Sequence, residues 1–148
     1  GYFAGGQAPS SKVSTVDRID YSNDTATAAV KGPLSSAQHT TKGTGNADFG
    51  YITGGWVTIS TVDRIDYSSD TGTTPAKGPL NVGVGRHAAT GNANFGYIGG
   101  GYPSPAVRHI DRIDYSNDTA TAVARANAFS FDKNWPMACS PAANALPQ

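Results

Sequence analysis

The sequence predicts an all-β protein built from three four-stranded repeats, and three observations carry that expectation. The first is composition. The 148 residues include 18 Gly and 9 Pro, only three Leu (Leu34, Leu80, Leu146) and no Glu, a mixture poor in helix formers and rich in turn formers. The second is self-similarity. Ser-Thr-Val-Asp-Arg-Ile-Asp-Tyr-Ser at 14–22 returns unchanged at 60–68, and again as His-Ile-Asp-Arg-Ile-Asp-Tyr-Ser at 109–116. The third is spacing. Asp17 to Asp63 is 46 positions and Asp63 to Asp111 is 48, with glycine runs upstream (Gly5-Gly6, Gly54-Gly55, Gly99-Gly100-Gly101) and Asp-Thr downstream each time.

Each element of the unit has a local reason. Phe49-Gly50-Tyr51-Ile52 is an aromatic and β-branched run that stops at a glycine pair, the pattern of a strand ending in a tight turn. Thr61 to Tyr67 alternates, with Asp63, Ile65 and Tyr67 on one face and Val62, Arg64 and Asp66 on the other, a second strand with both faces partly covered. Ile19, Ile65 and Ile113 are equivalent and should all be buried. The Ser-Asn-Asp-Thr segment turns the chain, because Asx and Ser side chains bond their own backbone. A Thr/Ala-rich third strand ends at Lys-Gly-Pro-Leu (31–34, 77–80), where proline halts ladder pairing. Arg86 to Thr90 makes the fourth strand, and Gly91-Asn92-Ala93-Asn94 turns into the next aromatic strand. Four short strands every 46–48 residues is the pattern of β-propeller blades. The boundaries fall at 1–49, 50–95 and a degraded third repeat over 96–128, with an irregular capping or docking tail over 129–148.

The order glycine pair, Val-x-x-Ile-Asp, turn, Gly-Pro-Leu, Arg-His-Ala-Ala, Phe-Gly-Tyr-Ile-x-Gly-Gly resembles the kelch repeat over nearly all of residues 1–124. Ala26, Gly72 and Ala120 stand near the place where kelch repeats usually carry tryptophan. The wording Asp-Arg-Ile-Asp-Tyr-Ser-Asn-Asp-Thr-Ala-Thr-Ala, and Ala-Asn-Ala-Leu-Pro at 143–147, resemble kelch-type repeats in structural proteins of marine bacteriophages. The resemblance implies a virion component such as a tail fibre or surface decoration, made in the host cytoplasm. Its partners would be other virion proteins and a cell-surface glycan. Three blades close no ring, since propellers use about 4–8. The open edges imply either further blades of the same polypeptide or self-association of copies.

Little in the sequence points to catalysis. With 11 basic and 11 acidic side chains the net charge is zero, which argues against electrostatic nucleic-acid binding, and no apolar run is long enough for a membrane helix. Asp20, Asn23 and Asp24 could offer oxygens to calcium, but nine of the 11 Asp recur in the repeated segments, and Asx turns plus Arg18–Asp20 pairs explain them without metal. His39 and His87 read as equivalent packing positions, and the single Cys139 lies in the tail. The copper site of a kelch-fold oxidase is therefore the weakest reading, and no cofactor is expected. No serine sits in a Gly-x-Ser-x-Gly elbow. Asn23 and Asn117 fit the N-glycosylation pattern, which matters only in a secreted protein. The copies diverge in the loop after the glycine pair: Gln7 to Lys12, Trp56 to Ile59, and Tyr102 to Val107. Binding concentrates in such loops, so Trp56 and Tyr102 are the candidate binding residues, as a sugar-stacking platform or a protein anchor. The expected function is a non-catalytic structural and interaction module. A carbohydrate-binding adhesin and a cellular kelch-type scaffold are the alternatives.

Overall fold

A computed structural model describes residues 1–56, 58–102, 108–125 and 129–140. Pro103 to Val107 of the third variable loop, and the Ala-Asn-Ala-Leu-Pro segment of the tail, lie outside the described residues. The described residues are all-β, with one short 3-10 turn among them over Tyr115–Asn117. Strands β1 (Tyr2–Gln7), β2 (Lys12–Arg18) and β3 (Ala29–Lys31) form a first antiparallel sheet. A second comprises β4 (Lys42–Gly45), β5 (Phe49–Thr53) and β6 (Val62–Asp66). The third has four strands, β7 (Ala88–Gly91), β8 (Phe95–Gly99), β9 (Ile110–Asp114) and β10 (Val123–Arg125). So the strand that closes one sequence repeat pairs with the aromatic strand of the next.

Several strands differ from expectation for local reasons. The first strand does not stop at its glycine pair. It runs through Gly5, whose φ of 68° makes a bulge between Ala4 and Gly6. The third strand of the middle repeat shrinks to a single bridge between Asp63 and Ala76. Pro75 is the cause: its carbonyl accepts from Arg64 N–H, but it has no N–H to return. Arg86, expected inside the fourth strand, instead precedes β7 in a left-handed conformation, φ 57°.

Both faces of the middle repeat are covered, as its alternation predicts. Ile65 joins Val16 and Leu34, with Tyr2 and Tyr67 beside them, in a core between the first and second sheets. Val62 joins Tyr51, Leu80, Val84, Ile98, Ile113 and Tyr115 in a larger core between the second and third. Ile65 and Ile113 are 3% and 4% exposed. Ile19 departs from them and is only half-buried: Ile65 packs against the first sheet and Ile113 against the second, whereas among the described residues no sheet packs on the matching face of the first.

Candidate interaction surface

The Asp-rich turns do two jobs. Asp20, Asp66 and Asp114 each accept from the backbone N–H and hydroxyl of the serine two residues on, closing an Asx turn. This part of the sequence reading holds. The expected pairing of Arg18 with Asp20, and its equivalents, does not. Arg18 and Arg64 reach forward to the last Asp of the following repeat instead. Arg18 Nη1 donates to Asp70 Oδ2 at 2.8 Å, Tyr2 hydroxyl to the same oxygen at 2.9 Å, and Lys31 Nζ lies 3.1 Å from Oδ1. One repeat on, Arg64 Nη1 and Tyr51 hydroxyl both lie 2.9 Å from Asp118 Oδ2, with Lys77 Nζ 3.3 Å from Oδ1. Both carboxylates are 7% exposed. Burial alone would raise the Asp70 pKa, but hydrogen bonds from Tyr2 and Lys31 and the charges of Arg18 and Lys31 hold it below its ordinary value.

Stacking and backbone complete each joint. Tyr2 stacks on Tyr67 (5.0 Å between centroids, 15°) and Tyr51 on Tyr115 (4.7 Å, 10°). Gly32 N–H donates to Asp70 carbonyl and Gly78 N–H to Asp118 carbonyl, both at 2.8 Å. A Cβ on Gly32 would collide with the Gly72 carbonyl, and one on Gly78 with the Ala120 carbonyl, so the approach requires glycine. Arg64 also lies over the Phe49 ring at 4.3 Å.

At one end of the sheets the divergent loops gather aromatic rings around a cation. The Arg86 guanidinium sits 4.1 Å from the Trp56 ring, 5.0 Å from Trp135 and 5.5 Å from Tyr102. Trp56 meets Trp135 edge-on at 6.3 Å, while His39 stacks on Trp56 at 5.3 Å. Trp56, Tyr102 and Trp135 remain 43%, 39% and 55% exposed. A cavity of about 360 Å³ adjoins them, lined by Ser10, Lys12, Gln38, His39, Trp56 and Ile59 among others. Arg86 Nε is buried without a hydrogen-bond partner among the described residues. Such a surface can stack a planar or sugar ring and offer a charged donor beside it.

Trp56 and Tyr102 are thus brought together, and the sequence reading missed the two residues that join them, Arg86 and Trp135. The missed signal lies in a repeated backbone. Leu34, Leu80 and Phe129 N–H groups donate to equivalent carbonyls of Ser14, Ser60 and Arg108. Six residues further on come Thr40, Arg86 and Trp135, all in the left-handed region at φ 61°, 57° and 57°. The repeat pattern therefore continues through Phe129–Trp135, and Gly101 N–H bonds Lys133 carbonyl much as Gly6 N–H bonds Gln38 carbonyl.

The same register corrects the histidines. His39 matches Gly85, whereas His87 matches Thr41, so the two are not equivalent. His87 is fully buried, its Nε2 lies 3.0 Å from Thr53 Oγ1, and burial, helped by the Lys42 charge, pushes its pKa down to about 4. Asp63 and Asp111 are buried as well, and burial raises both carboxyl pKa values against the pull of bonds from Ser35 and Val82 N–H. Among the described residues no three His, Cys, Asp or Glu side chains gather as a metal site, and Cys139 is exposed and free. Among the described residues no helix is long and apolar enough to cross a membrane. No protein-family model matches the sequence, and no curated protein is similar to it.

Proposed function

We propose that this chain is a non-catalytic structural and interaction module of kelch-like, blade-forming repeats, a phage virion component such as a tail fibre or surface decoration. Its work is assembly with further copies or further blades, and attachment to a host. The observation that carries this reading is the joint itself. Most of the chain's acidic residues serve to shape turns or to lock one repeat onto the next, as a structural protein made by repetition requires. The resemblance of the repeated segments to phage structural proteins supplies the virion setting. Static light scattering of the 148-residue chain tests the reading. A discrete oligomer is the expected result, and a strict monomer overturns self-assembly.

A second reading, a carbohydrate-binding adhesin, is favoured by the exposed aromatic cluster. On a glycan array, the parent protein should retain a sugar that Trp56→Ala and Arg86→Ala each lose by about tenfold or more, in line with the loss of one stacking hot spot. An array with no bound glycan, or binding indifferent to both substitutions, excludes it.

A further inference from the structure

The joint that locks repeats together occurs twice with all its parts, and each half of it occurs once more without its complement. On the first repeat, Tyr21 and Asp24 match Tyr67–Asp70 and Tyr115–Asp118. Asp70 and Asp118 are clamped, yet Asp24 is exposed and makes no hydrogen bond or ion pair among the described residues, and Tyr21 is 78% exposed. On the third repeat, Tyr97 faces Arg112 across β8 and β9, as Tyr51 faces Arg64 and Tyr2 faces Arg18. Arg125 pairs with Ile110 as Lys31 pairs with Val16. Arg112 already lies over Phe95 at 4.3 Å, the same distance at which Arg64 lies over Phe49. Its guanidinium is held in the receiving position, and neither it nor Arg125 has a carboxylate partner among the described residues.

We propose that these two surfaces dock on one another between copies of this chain: Asp24 of one molecule enters between Arg112 and Arg125 of the next, and Tyr21 stacks on Tyr97. This rests on the self-assembling module proposed above and names its interface. The charges are complementary, an unpaired carboxylate facing two unpaired guanidinium groups, and the geometry has two precedents within the molecule. The contact is head-to-tail. Two copies bent far enough close into one ring of six sheets, and a shallower bend extends into a filament. Two differences in sequence set this seam apart from the internal joints, the first being Arg125 where they have Lys31 and Lys77. Ala126 follows Arg125 in the sequence, where Gly32 and Gly78 follow Lys31 and Lys77.

The experiment uses three proteins in sedimentation velocity: the parent chain, Asp24→Ala, and the double variant Arg112→Gln/Arg125→Gln. The expected result is that the parent assembles, that each variant alone is monomeric with an unchanged circular-dichroism spectrum, and that an equimolar mixture of the two gives a 1:1 pair and nothing larger. Only the mixture offers one intact Asp24 surface and one intact arginine surface. Asp24→Asn, which preserves shape, stands in should Asp24→Ala fail to fold. A parent that assembles while both variants assemble equally well overturns the head-to-tail interface and leaves the module reading standing. A monomeric parent overturns the interface and self-assembly together, leaving further blades as the module's only partners.

Discussion

Ile65 and Ile19 occupy the same place in their repeats and should answer differently to the same cut. Ile65 is 3% exposed between two sheets, so Ile65→Ala should cost about 2–5 kcal/mol in urea unfolding. Ile19→Ala, at a half-buried site, should cost about 1 kcal/mol or less. His87 supplies a pH signature. Its folded pKa of about 4 lies below the ordinary 6.5, so the unfolded chain takes up a proton first. The stability tied to neutral His87 is intact above pH 6.5 and is lost as pH falls from there towards 4. The full loss is on the order of 3 kcal/mol. Raised carboxyl pKa values at Asp63 and Asp111 act in the opposite sense, because protonation at low pH relieves their burial. The two contributions separate in His87→Gln, whose stability should lose the decline between pH 6.5 and 4 while keeping the carboxylate part. Thermal melts at half-unit pH steps measure it.

Among the elements, β5 and β8 were legible because their aromatic runs end in glycines of positive φ, and β6 because Val62 and Ile65 mark opposite faces that both need covering. Which carboxylate an arginine meets was not legible. Arg18 and Asp20 sit two apart on one strand, but only the packed neighbour shows that Asp70 approaches closer. Half of the exposed aromatic cluster was likewise legible. Trp56 and Tyr102 stand in divergent loops, while Arg86 and Trp135 become visible only once the left-handed turn is seen to recur. Lengthening of the loops and the loss of Gly-Pro-Leu hide that register in the third repeat. The joints make their own prediction. Asp118→Ala would strand Arg64 and Lys77 beside Tyr51 and should cost about 3 kcal/mol. Gly78→Ala, whose Cβ would meet the Ala120 carbonyl, should destabilise comparably to an overpacked core, by about 1–3 kcal/mol. Gly72→Ala faces open space and should be close to neutral, a contrast that differential scanning calorimetry can read.

In the molecule as a whole, consecutive sheets share cores and carry one kind of joint between them, so stability is set by nearest neighbours. Where Gly32 and Gly78 let a neighbour's carbonyl press against the backbone inside the chain, the proposed seam between copies rests on the exposed Asp24 and on Arg112 and Arg125. Charges joined at an exposed surface are screened within a Debye length of about 8 Å at physiological ionic strength and about 3 Å at 1 M. The internal clamps, with carboxylates 7% exposed, are shielded from that screening. Raising the salt should therefore part the copies while every sheet inside each copy stays folded, making ionic strength a reversible control over the length of the assembly.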